Sequence, residues 1–130
     1  MKILQPAGWA KPKGYANGIE SRGRTVYVAG QIGWNAEQRF ETDDLAAQVE
    51  QTLRNTIAVL AEAGAGPEHI VRMTWYVVDK RAYLAAEKAI GAAYRAVIGR
   101  HFPVMTLVQV ADLLEDRAKV EIETTAVIPD

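Results

Sequence analysis

His101–Val110, HFPVMTLVQV, and Lys119–Val127, KVEIETTAV, decide how this chain is read, because each alternates between two kinds of side chain. In the first, Val104, Thr106, Val108 and Val110 point one way and Met105, Leu107 and Gln109 the other. In the second, Val120, Ile122, Thr124 and Ala126 share a face, leaving Glu121, Glu123 and Thr125 on its reverse. Successive side chains of a strand point to opposite sides of the sheet, so these sets cannot mix. A carboxylate among apolar neighbours costs free energy unless something satisfies or uses it. Glu121 and Glu123 are therefore the first places to look for chemistry, on the face expected to carry Met105 and Leu107.

Working outward, ANGIESR (Ala16–Arg22) and RTVYVAGQIGW (Arg24–Trp34) flank Gly23 and read as a β-hairpin. Val26, Val28, Gly30, Ile32 and Trp34 fall on one of its faces. Asp43 or Asp44 suits the N-cap of a helix whose stripe is Leu45, Val49, Leu53, Ile57 and Leu60, ending at Gly64. IVRMTWYVV (Ile70–Val78) is a strand apolar on both faces. Asp79 caps a second helix with the stripe Tyr83, Ala86, Ile90, Tyr94 and Val97, and Gly99 stands near its end. The expected order is ββαβαββ, an α+β two-layer sandwich with two helices on one face of a mixed sheet. Residues 1–13 are read as an extension of a single domain.

Composition narrows the chemistry. The chain has 130 residues, a formal net charge of -1 and no cysteine. Thiolate catalysis, disulfides and Cys-ligated metals are excluded together, and no general attraction to nucleic acid or an anionic membrane is expected. His69 and His101 have no partner at metal spacing, so no metal site is expected. MKILQPAGWAKPKG carries Pro and Gly too early for a signal-peptide core, and the expected location is cytoplasmic. Two helices cover one sheet face only. If Met105, Leu107 and one row of the Ile70–Val78 strand lie on the other, a closed homo-oligomer is expected to cover them.

The order of elements, with G-Y-A-N-G at Gly14–Gly18, A-G-Q-I at Ala29–Ile32 and L-A-A-Q-V-E-Q-T-L-R-N at Leu45–Asn55, resembles the Rid (YjgF) family of reactive-intermediate deaminases. The likeness continues through E-A-G at Glu62–Gly64, I-V-R-M-T-W-Y-V-V-D at Ile70–Asp79, Phe102-Pro103 and V-E-I-E at Val120–Glu123. It implies a chorismate-mutase-like fold, a homotrimer with clefts between subunits, and cofactor-free hydrolysis of enamines or imines to a carbonyl compound and ammonia. It also implies that Glu121 positions the attacking water, that the Gly30 backbone meets the ligand, and that Tyr15 closes over it. Two departures stand out. Met105 occupies the place of an arginine that grips a substrate carboxylate, and Gly91 that of an asparagine three residues before the helix tyrosine Tyr94.

Other readings stay open for several of these residues. Glu121 also fits a surface or intersubunit ion pair, Gly30 a β-bulge, and Tyr15 a loop aromatic packed on the sheet edge. Met105, Leu107 and Gln109 shape the cleft as one strand face, and Trp34 and Trp75 make it flat and aromatic or simply pack. Arg95 or Arg100 can supply the missing cation or sit as solvated helix-end charges. Three functions follow: a deaminase of small imines other than the usual 2-imino acids, a metabolite-binding trimer without turnover, and an RNA-directed role. The last lacks a basic track.

Overall fold

The computed structural model describes residues 1–130. The elements are β1 (Lys2–Leu4), β2 (Gly18–Glu20), β3 (Arg24–Ile32), α1 (Leu45–Ala61), β4 (Ile70–Val77), α2 (Lys80–Ala85), α3 (Glu87–Val97), β5 (Val104–Gln109) and β6 (Val120–Ile128). A 3-10 turn at Pro67–His69 precedes β4. The main sheet has the order β3-β6-β4-β5, with β6 antiparallel to both neighbours and β4 parallel to β5. Helices α1 and α3 pack against each other over one face, giving the expected α+β sandwich. No helix is long and apolar enough to cross a membrane.

The core follows the periodicities. Val49, Leu53 and Leu60 of α1 are buried against Met73, Trp75 and Val77 of β4 and Val120, Ile122 and Ala126 of β6. Helix α1 begins where Asp44 accepts a hydrogen bond from the Ala47 N–H at 3.0 Å. Asp79 caps α2 by accepting from the N–H groups of Arg81 and Ala82. The stripe expected of one helix is kept across two: the backbone breaks at Ala86, and Ile90 and Tyr94 of α3 still face the core.

Three details differ from the sequence reading. First, β2 pairs with β1 and not with β3, so the N-terminal residues contribute a strand. Gly23, at φ +147, lies against the Ile128 carbonyl, which carries the chain over the end of β6 instead of folding β2 back onto β3. Second, Met105 and Leu107 lie on the helix-covered face. The parallel register aligns them with Met73 and Trp75, the buried row of β4. Third, the uncovered face is not that apolar row. It carries Tyr27, Thr74, Tyr76, Thr106, Val108, Glu121 and Glu123, with Tyr27 78% exposed.

A buried amide joins the layers. Gln48 on α1 is fully buried, donating to the carbonyls of Thr42 and Arg117 and accepting from the Lys119 N–H at 2.9 Å. Asn55, two turns on, donates to the carbonyls of Ile32 and Trp34, and Gln51 donates to Asn55. Gly33 permits this approach, since a Cβ there would stand 2.7 Å from the Gln48 Cβ and 2.9 Å from its Cα. His101 Nε2 donates to the Ile70 carbonyl and the Tyr94 hydroxyl to the His101 carbonyl, each at 2.6 Å, fastening the turn before β5.

Replacing Gln48 by leucine should destabilise the fold by roughly 2 kcal/mol, because two partly buried carbonyls and one N–H lose their partner; chemical denaturation measures it. Burial also raises the Tyr94 phenol above its ordinary value of 10.0. A raised folded pKa contributes stability below the unfolded value that is lost as pH climbs past it. Tyr94→Phe should therefore cost about 1 kcal/mol at neutral pH, and the gap should narrow above about pH 10.

Candidate functional site

The residues singled out by sequence fall into two groups on opposite sides of the main sheet. One surrounds Glu121. Between Val28 and Gln31 the pairing of β3 with β6 shifts by one residue, a β-bulge. The bulge breaks the expected alternation and turns the bare Cα of Gly30 towards the uncovered face. There the Glu121 carboxylate occupies the space that a Cβ on residue 30 would need. The two alternatives for Gly30, bulge and close approach, thus coincide. Glu121 is half-buried and makes no ion pair in the chain.

Tyr76 stands opposite Glu121 on β4, and its hydroxyl donates to Glu123 at 2.7 Å. That hydrogen bond raises the phenol above its ordinary value, with smaller contributions from burial and the two carboxylate charges. Glu123 is thereby occupied by Tyr76. Glu121 is left as the open carboxylate of the row.

The other group lines a cavity of about 570 Å³ beneath α2 and α3, beside β5, the edge strand. Met105 and Leu107 contribute its strand wall, Tyr83, Ile90 and Tyr94 its helix wall, and Tyr15 its rim. Tyr15 is held there by its neighbour: the Ala16 N–H donates to the Pro103 carbonyl at 3.0 Å, and Ala16 bridges to Val104 at the start of β5. Aromatic packing stiffens the wall. Tyr94 stacks on Phe102 at 5.8 Å, and Trp75 meets Tyr83 edge-on at 6.4 Å. Burial raises the Tyr83 phenol, and the Glu87 carboxylate adds to the effect.

Trp34 and Gln109 do not line this cavity. Trp34 follows β3 and packs on Phe40, whose ring carries the Arg117 guanidinium 5.5 Å above it. Gln109 accepts from the Lys80 N–H at 2.8 Å and so ties the end of β5 to the start of α2. Sequence reasoning passed over Lys13, Tyr83, Glu87 and Phe102, which the cavity includes. The usable signal was the α2–α3 stripe: its aromatic members stand above whichever β5 row shares the buried row of β4. No group of three or more His, Asp or Glu side chains is arranged to hold a metal ion.

In one copy Glu121 and Met105 cannot meet. Met105 aligns with Met73, and Met73 aligns with Thr124 of β6; Glu121 belongs to the alternate row. The expectation that they share one strand face is corrected by this register. The chain presents a carboxylate on one side of the sheet and an aromatic cavity on the other.

With this geometry in hand, known proteins are informative. A family profile described as Endoribonuclease L-PSP matches residues 9–128. A RutC family protein of Synechocystis is 32% identical, over 99% of this chain and 98% of that protein. A 2-iminobutanoate/2-iminopropanoate deaminase of Escherichia coli is 34% identical, over 87% of this chain and 86% of its own. The crystal structure of YyfB, a Rid-family protein of unknown function from Yersinia pestis, superposes with a TM-score of 0.85 at 34% identity, covering 98% of each chain. That of the Escherichia coli YjgF gene product gives 0.69 at 34% identity, covering 87% of each. The sheet and its helices are thus built on a backbone shared with Rid proteins, and the chain belongs to the Endoribonuclease L-PSP family, that of the Rid and YjgF proteins.

Proposed function

We propose that this protein hydrolyses small enamines or imines to a carbonyl compound and ammonia, in clefts formed where copies of a homotrimer meet. The observation that carries the reading is Glu121, half-buried against Gly30 on the sheet face that nothing in the chain covers. A relative 34% identical to this chain is a deaminase of 2-iminobutanoate and 2-iminopropanoate, which supports the reaction class. The separation of Glu121 from the aromatic cavity supports a shared cleft. A neighbouring copy can bring its β3–β6 corner to the β5 edge, joining the carboxylate of one chain to the cavity of the next.

In this arrangement the imine lies in the cavity with its reacting carbon towards Glu121 of the adjoining copy. The imine reacts in its protonated form: Glu121 accepts a proton from water as the water oxygen bonds to that carbon and the C=N π pair moves to nitrogen, giving a neutral carbinolamine. It returns that proton to the amine nitrogen; ammonia then leaves with the C–N bond pair while the hydroxyl oxygen forms the carbonyl and gives up its own proton to solvent. The chain's contribution is to orient the water, hold the imine in a largely apolar cavity and move one proton between two atoms.

The apolar wall formed by Met105 and Leu107 favours substrates other than a small 2-imino acid, whose carboxylate would adjoin the reacting carbon. The same wall supports a second reading, a trimer that binds a metabolite without turning it over. Ammonia release from freshly generated imines of varied side group separates the two. Wild-type protein should release ammonia, and Glu121→Gln should lower the rate by about a hundredfold. Equal rates for the two would remove the mechanism, and absence of turnover with ligand binding would favour the second reading.

Complementation tests the shared cleft. Glu121→Gln and a cavity-blocking Leu107→Trp variant should each be inactive alone. Mixed trimers assembled from equal amounts should regain about one quarter of the wild-type activity, because one interface in four then joins two intact halves. No recovery in verified mixed trimers would confine the site to one chain, and a monomer by light scattering would remove the cleft.

A further inference from the structure

The cavity beneath α3 is walled mainly by apolar and aromatic side chains, yet it includes the charged residues Lys13, Glu87 and Arg95. Glu87, Gly91 and Arg95 recur every four residues along α3 and share the helix face towards the cavity. Side chains of a helix lean towards its N-terminus, so Arg95 reaches back over residue 91. There it finds no side chain. A Cβ on Gly91 would stand 3.3 Å from Arg95 Nη1, so the guanidinium lies along the bare turn of helix at the cavity wall. It enters none of the chain's three ion pairs.

A planar fork in such a place matches a carboxylate. The stacked Tyr94 and Phe102 rings and the Trp75–Tyr83 pair suit a flat apolar body. Glu87, two turns from Arg95 and roughly 12 Å along the axis, repels a second negative charge at that end.

We infer that Arg95 is the anion-binding residue of this cavity, and that its ligands are monocarboxylates with a flat, apolar body. The inference rests on the reading that this cavity holds the substrate. It extends that reading by setting the carboxylate at Arg95, across the aromatic wall, and not beside Met105.

The test is calorimetric titration of the full-length protein with hydrocinnamate and with its neutral amide. Wild-type protein should bind the acid roughly fivefold more tightly at low ionic strength, and the preference should shrink at high salt. Arg95→Gln should equalise the two ligands by weakening the acid alone, Arg95→Lys should keep part of the preference, and Lys13→Gln should keep it. A solvated helix-end arginine would change only melting temperature. Equal affinities in the wild type, no binding of either ligand, a preference surviving in Arg95→Gln, or one abolished by Lys13→Gln would each overturn the assignment. Since the readout is equilibrium binding, protein that prefers the acid but hydrolyses no imine would sink the deaminase reading alone. Protein that hydrolyses imines without the preference would sink the Arg95 inference alone.

Discussion

Strand β6 is hydrogen-bonded on both sides, to β3 and to β4, and the rest of the structure is arranged around the alternation this imposes. Its inward row, Val120, Ile122, Thr124 and Ala126, is buried beneath the helices; its outward row carries Glu121, Glu123 and Thr125. A one-residue slip would drive both carboxylates into the core and expose the apolar row, so register and burial enforce each other. The same alternation passes through β4 into β5, placing Met105 and Leu107 beneath α3. Separation of the Glu121 carboxylate from the aromatic cavity is a consequence of how this sheet is paired.

The polar stripe of α1 keeps that arrangement in place. Gln48 and Asn55 satisfy backbone groups at the end of β3, in the loop before α1 and in the approach to β6, where the chain leaves regular pairing. A buried amide with all its partners present fixes one geometry, because any shift strands donors and acceptors in a dry interior. Gly33 lets the β3 end come within van der Waals distance of α1, and three residues earlier Gly30 makes room for Glu121. The two glycines serve different ends, the first packing against α1 and the second the close approach of the Glu121 carboxylate.

Much of the architecture was legible in the sequence. The α1 stripe, the Asp44 and Asp79 caps and the two-faced β6 strand all occur as their periodicities indicate, because each depends on neighbours a few residues away. The hairpin across Gly23 was misread, since the partner that draws β2 away is β1, and nothing in Ala16–Arg22 encodes that choice. Met105 and Leu107 were given the right row and the wrong side. Which row of β5 is buried depends on its parallel register with β4, set by the α2–α3 crossover between them. Gln109 and Trp34 shared a face or an aromatic character with site residues, yet helix capping and the Phe40 contact account for where they lie.

What the sequence determined by itself was local: helix and strand, the alternation that isolates Glu121 from Ile122, and the presence of a thioether at position 105. Folding alone decided which distant rows share a face, that Gly30 meets Glu121 through a bulge, and that Arg95 lies over Gly91 beside the cavity. The physical reason is the range of the forces involved. Backbone dihedrals and side-chain periodicity act over one or two turns. Register between strands far apart in the chain is fixed only when the whole apolar layer closes and every buried amide and carbonyl has found its partner.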